Sequence, residues 1–357
     1  MFLRIVSALG HALVRCFSVK SYIVFVMLTC GYHASLAQVA NKHKNKDNAT
    51  IGYIKPTFDA TLSNKVRETS GLIWWNNQVW THNDSGGDPA LFAIDTATGK
   101  VLRKVTVTNA TNVDWEDITQ DDEYIYVGDF GNNKHGNRQD LKVYKIRKSD
   151  VKAKDAVVAG IIHFSYSDQT NFTPNKGAST NFDCEAFIAY NDSLYLFSKD
   201  WLDNKTRLYK LSKQPGTCTA ENMGELNVHG LVTGATIIPD KKVIILTGYS
   251  ALLKPFVYVL YDFSGDRFFA GNKKKIGINQ SFLQVEGICP VSDTSFYISN
   301  EKFDRLDKLI NKSAKLQTIN LSTILDPYYA TLKSQTAPVA KYGAAPAAKS
   351  KTVLAAK

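Results

Sequence analysis

The sequence is short of the features on which functional assignments usually rest. It has five cysteines in 357 residues, with Cys16 and Cys30 near the start and Cys184, Cys218 and Cys289 far apart in the body. That spacing excludes a disulfide framework and a zinc site, and leaves either one pair or three small apolar side chains in a core. No Gly-x-Ser-x-Gly occurs, so His82 beside Asp84 and Ser85 lacks the sharply presented nucleophile of a serine hydrolase. The run Tyr22 to Leu28 is too short to span a membrane comfortably. Helical periodicity is scarce, and only the stretch from Arg305 to Leu325 suggests a helix over part of its length. The chain is nonetheless 44% hydrophobic, which excludes disorder throughout and a fibrous repeat.

Charge is distributed unevenly. The formal net charge is +10, which at face value points to an acidic partner. Residues 1–50 carry Arg4, Arg15, Lys20, Lys42, Lys44 and Lys46 against Asp47 alone, and residues 331–357 carry lysines and no acid. The body between them is formally neutral, so no nucleic-acid partner is expected.

Both ends have explanations outside a folded core. Arg15 and Lys20 precede the apolar run, and Ser35-Leu36-Ala37 supplies the small residues of a cleavage site, so residues 1–37 read as a signal peptide. Residues 38–50 are then a polar N-terminal extension, and the chain is expected to be exported to the periplasm, the outer-membrane surface or the medium. Lipid attachment at Cys30 fits poorly, because Met27 and Thr29 flank it. After cleavage no transmembrane span is left. Residues 331–357, rich in Ala, Lys and Pro, read as a disordered tail.

Residues 51–330 read as strands. Short β-branched and aromatic runs such as Tyr124 to Val127, Leu194 to Phe197 and Val243 to Leu246 end in Asn, Asp or Gly. Before these runs stands a repeat: Glu68-Thr-Ser-Gly-Leu, Glu116-Asp-Ile, Glu185-Ala-Phe and Glu286-Gly-Ile, with Thr233-Gly-Ala as a copy lacking the acid. The intervals from Glu68 to Glu286 are 48, 69, 48 and 53 residues, the length of a four-stranded sheet with its turns and the period of a β-propeller. The expected fold is therefore an all-β propeller of four-stranded blades, five by this count, with room for a sixth between Glu116 and Glu185. Residues 51–62 are placed to complete the last blade. A two-sheet sandwich accommodates the strands but gives no reason for a repeating Glu.

In a propeller the residue before the innermost strand and the residue after the next strand share one face. A second row of polar clusters follows each Glu: His82-Asn83-Asp84, Gly128-Asp129, Lys199-Asp200-Trp201 and Ser299-Asn300-Glu301. Acids gathered at one mouth repel, so some stay protonated or a cation neutralises them. The four Glu and the Asp and Asn of the second row would supply the oxygens. Oxygen donors without suitably spaced His or Cys favour calcium over magnesium, manganese or zinc. The same carboxylates could instead bond backbone N–H groups of the next blade and serve architecture alone, or act as acid and base without metal. Asp84 and Asp129 are the candidates to orient or deprotonate water. His82, Asn83, Asp200 and Asn300 line the same face, with Arg138 placed to meet an anion and Trp115 and Trp201 to stack on a sugar. Aromatic packing between blades is the alternative for the two tryptophans.

The segments Trp80-Thr-His-Asn-Asp-Ser-Gly86, Asn112-Val-Asp-Trp-Glu-Asp-Ile118, Val127-Gly-Asp-Phe-Gly-Asn-Asn133, Phe182-Asp-Cys-Glu-Ala186 and Val285-Glu-Gly-Ile288 resemble a family of exported propellers common in Bacteroidetes, whose activity is unsettled. More distantly, the Glu-Gly-Ile blade start is similar to phytase-like and gluconolactonase-like propellers. That likeness implies calcium at Glu68, Glu116, Glu185 and Glu286, although the missing acid at Thr233 breaks a full ring. The function expected is an exported, monomeric, cation-binding propeller with a glycan, phosphate ester or protein as ligand. The alternatives are a calcium-dependent hydrolase of phosphate esters or lactones, and an interaction scaffold whose channel acids are purely structural.

Overall fold

The computed structural model describes residues 52–153, 155–305 and 310–336. The expected signal peptide, the polar extension and the tail beyond residue 336 lie outside the described residues. The described chain is mostly β. Two short strands, β1 (Tyr53–Ile54) and β2 (Phe58–Thr61), precede β3 (Thr69–Trp75), β4 (Gln78–Asn83), β5 (Ala90–Ile94) and β6 (Val101–Thr108). Then come β7 (Trp115–Gln120), β8 (Tyr124–Asp129), β9 (Lys142–Arg147) and β10 (Asp155–Tyr166), followed by β11 (Cys184–Tyr190), β12 (Ser193–Ser198), β13 (Lys205–Ser212) and β14 (Gly216–Asn227). Next are β15 (Leu231–Ile238), β16 (Val243–Tyr249), β17 (Pro255–Tyr261) and β18 (Asn272–Ile278). Last are β19 (Val285–Pro290), β20 (Ser295–Asn300), the hairpin β21 (Phe303–Arg305) and β22 (Ile310–Lys312), β23 (Lys315–Asn320) and helix α1 (Ser322–Thr336).

Consecutive strands pair as antiparallel meanders: β3 to β6, β7 to β10, β11 to β14 and β15 to β18. β19, β20 and β23 are completed by β2, which pairs antiparallel with β23. The first strand of each meander packs on the first strand of the next, and β19 packs back on β3, so the inner strands close a propeller-like ring. Every seam has its own apolar cluster, which is what radial packing of sheets requires. Trp80 and Val105 meet Ile118 and Tyr144 in one seam, and Phe130 and Val143 meet Phe187 and Tyr209 in the next. Tyr195 and Leu208 meet Leu246 and Phe268, Val257 meets Ile288 and Phe296, and Leu72 and Phe92 meet Cys289 and Leu316 where the chain closes on itself.

Outer edges are covered rather than left open. β10 pairs in parallel with both β6 and β14, and β1 pairs in parallel with β18, which removes bare edges that would template aggregation. The helix starts at the end of the stretch that the sequence suggests is partly helical and runs beyond it. Residues 310–312 and 315–320 are strand, and α1 begins at Ser322 and runs through the expected boundary at 330/331 to Thr336. Burial holds the helix: Ile324, Leu325, Tyr328 and Tyr329 join the apolar cluster with β19 and β20, and Leu332, past the expected boundary, packs against it. Tyr329 donates its hydroxyl to the Asp293 carbonyl at 2.8 Å. Tyr329→Phe should lower stability by about 1 kcal/mol, the net worth of one such bond, as measured by urea unfolding. No described helix is long and apolar enough to cross a membrane. Cys184, Cys218 and Cys289 are all free, two of them buried.

Candidate functional site

Each inner strand carries a β-bulge at its mouth end. The register slips between Trp115 and Asp117, Cys184 and Ala186, Val232 and Gly234, and Val285 and Gly287. The extra residues are therefore Glu116, Glu185, Thr233 and Glu286. In β3 the slip falls between Thr69 and Leu72, and comparison of strand-end pairs makes Ser70 the equivalent residue. A bulge re-aims one side chain out of the alternating pattern, and Ser70, Glu116, Glu185 and Glu286 all line one cavity of about 810 Å³ at this end of the ring.

This register moves one sequence assignment. Glu68 precedes β3, is 41% exposed at its side chain and pairs with Arg67 at 3.2 Å, so it stands at the cavity rim rather than in the bulge row. Ser70 and Thr233 use their hydroxyls architecturally, donating to the carbonyls of Glu116 and Val285 on neighbouring strands.

The acids that converge are Asp84, Asp114, Glu116, Asp183 and Glu185. They form two triplets that share Glu116, one with Asp84 and Asp114 and the other with Asp183 and Glu185, and within each the ligand oxygens lie within 4.8 Å of one another. Asp114 and Asp183 stand two residues before Glu116 and Glu185. The Asp-x-Glu pattern was in the sequence and was the signal by which both could have been found. Gly131 walls the first triplet, because a Cβ there would overlap Glu116 Oε1 and the Asp114 carboxylate. Glu116 is 3% exposed, and its Oε1 is buried without a hydrogen-bond partner.

The electrostatics follow from this crowding. Burial, then the charges of Asp84 and Glu185, hold Glu116 well above the usual carboxylate range. Burial, then Asp114 and Glu301, push Asp84 up to about 7. Burial, then Asp183, pushes Asp114 up to about 6. Glu185 and Glu286 are also raised, mainly by burial, with the ammonium of Lys199 opposing. A buried, partnerless carboxylate oxygen among raised carboxyls is an arrangement that a cation would relieve.

The remaining residues singled out by sequence are engaged with other partners, although Arg138, like Trp201, also lines the cavity. Asp129 is wholly buried beneath the mouth, where Arg138 at 2.9 Å and Lys142 at 3.3 Å neutralise it. Arg138 spends its donors on Asp129, Asp140 and the Gly131 carbonyl, so it braces the loop behind the acids. Asp200 is held by Ser198 and Arg207. His82 is buried, its Nδ1 at 3.0 Å from the Asn83 carbonyl oxygen, and burial lowers it to about 4. Trp115 is a core residue that meets the rings of His82 and Tyr144. Asn83 donates to the Lys65 carbonyl, and Asn300 to those of Glu301 and Ser313. Trp201 does reach the cavity, and its Nε1 donates to Asp183 at 2.8 Å.

No family model and no curated protein matches this chain. Among solved structures, the PQQ-bound aldose sugar dehydrogenase of Streptomyces coelicolor is similar at 10% identity and a TM-score of 0.36, over 73% of this chain and 98% of that one. A chain of a mitotic checkpoint complex is similar at 11% identity and 0.39, over 78% and 95%. Hydrazine synthase of Kuenenia stuttgartiensis gives 11% and 0.33, with 67% of this chain covering 57% of that one.

Proposed function

We propose that this chain is an exported propeller of five four-stranded blades whose mouth binds a divalent cation, calcium by its donor chemistry. The ion is held by Asp84, Asp114 and Glu116. The observation that carries this reading is Glu116 Oε1, buried without a partner at the junction of the two acidic triplets. Oxygens up to 4.8 Å apart suit a shared ion at about 2.4 Å from each, and calcium tolerates the irregular geometry of carboxylates from separate elements. Asp84 and Asp114 are only partly buried, so the ion would keep open positions toward the cavity, where oxygens of an envelope glycan, phosphate ester or protein complete its shell. A hydrolase would need a base apart from the ligands. Asp129, the sequence candidate, is tied up by Arg138 and Lys142, which favours binding without turnover.

Titration calorimetry at pH 7.5 tests this. Calcium should bind wild type, and Glu116→Gln should weaken it by at least about tenfold, equivalent to about 1.4 kcal/mol. Absence of binding at millimolar calcium, or an unchanged affinity in a folded Glu116→Gln protein, rejects the site.

A further inference from the structure

The second triplet, Glu116, Asp183 and Glu185, meets the same distance test as the first and is buried throughout. What separates them is the group already seated on the second. Lys199 contacts Glu185 through its Nζ, and both side chains are only 4% exposed. The ammonium also lies 4.8 Å from the ring centre of Trp201 and 5.3 Å from that of Tyr249, within the range of cation–π attraction. Trp201 is fixed in place by its bond to Asp183 Oδ2. Glu185 and two aromatic rings thus hold the chain's own ammonium against the second triplet, close enough for its charge to act on Asp183 as well.

The position is particular to one meander. Strand-end pairs place Asn83, Asp129, Ser198, Gly248 and Asn300 in one row. The residues that follow are Asp84, Phe130, Lys199, Tyr249 and Glu301. Only one of these is a cation, and it stands beside the triplet that Asp183 and Glu185 complete.

We propose that Lys199 is a built-in counterion that fills the second triplet and so limits the mouth to one divalent ion. This rests on the reading that Asp84, Asp114 and Glu116 take a cation. Removing the ammonium while keeping its apolar stem, as in Lys199→Met, leaves Glu185 and Asp183 uncompensated and frees a set of oxygens for a second ion.

The test is calcium stoichiometry on the full chain by calorimetry, with thermal melts in EDTA and in calcium. Wild type should bind one calcium per chain, Lys199→Met two, and Lys199→Arg one. Lys199→Met should melt well below wild type in EDTA and regain most of the difference in calcium. A folded Lys199→Met protein that binds one calcium with wild-type affinity overturns the proposal. So does a Lys199→Met protein that stays unfolded in calcium as well as in EDTA, since an ion able to replace the ammonium would rescue it. Wild type that binds no calcium defeats the first site itself, and that result is visible before any variant is made.

Discussion

Calcium at a hundredfold excess over its dissociation constant should raise the melting temperature at pH 8 by about 5–10 °C, and far less at pH 5. The excess stabilises the folded state by about 2.7 kcal/mol, and each kcal/mol is worth roughly 2–4 °C in a domain of this size. The pH dependence comes from the carboxyls. Asp84 and Asp114 are raised to about 7 and about 6 from ordinary values of 3.8. A carboxyl raised in the folded state holds its proton more tightly there, so its contribution to stability is complete below 3.8 and is lost as pH rises through the folded value. Most of this loss falls between pH 4 and pH 7, and without metal the folded chain should still weaken between pH 6.5 and about 7.5 through Asp84. His82 acts in the opposite sense. Its folded value of about 4 gives stability that is complete above 6.5 and lost as pH falls toward 4, so it does not interfere in the alkaline window. Calcium competes with protons for the same oxygens and should flatten the decline above pH 6.5. Identical melting curves in calcium and EDTA at pH 8 would contradict this account, whatever their shape at pH 5.

The repeat of acids before strands was legible because a ring of similar sheets reuses one position in each, and Glu116, Glu185 and Glu286 recur at the same point of their inner strands. What one-dimensional alignment could not supply was the bulge. Glu68 matched the pattern by residue type, yet the strand register puts Ser70 in that row, because two residues at 70 and 71 face one on β4. Asp114 and Asp183 were visible as letters, but their convergence depends on two inner strands from different meanders meeting at the ring's axis. Lys199 was read as part of a polar cluster. Its pairing with Glu185 is a contact between two strands of one meander that becomes predictable only once the register is known. Only the first turn of helix α1, Ser322 to Leu325, fell within the stretch read as partly helical; the rest was not legible, because its apolar residues cover β19 and β20 and a short amphipathic segment beside a polar tail carries little periodic signal.

Asp117→Ala should cost about 3 kcal/mol or more, as much in calcium as in EDTA, and this separates architecture from ion binding. Asp117 is 1% exposed, and its carboxylate accepts the amides of Ile118 at 2.8 Å and Phe187 at 2.9 Å. A third bond comes from the amide of Ala235. Residues 118, 187 and 235 occupy one register position on β7, β11 and β15, so one acid ties three inner strands at the axis beneath the mouth. Burial pushes this carboxyl well above its ordinary value, against the amides that hold it. Truncation leaves buried N–H groups unpaired at about 1–3 kcal/mol each. Gly71 shares the same space, where a Cβ would overlap the Asp117 carboxylate. Gly71→Ala should therefore be severe alone but less than additive with Asp117→Ala, because both disrupt one contact. Urea unfolding measures both, and a loss under about 1 kcal/mol, or one that calcium abolishes, would refute the axial strut. The bulge makes this division of labour. By setting Glu116 out of the ladder and returning Asp117 to it, the bulge gives one acid to the cavity and the next to the seam between sheets. The two expectations for channel acids, ion binding and architecture, are thus carried by adjacent residues of one strand.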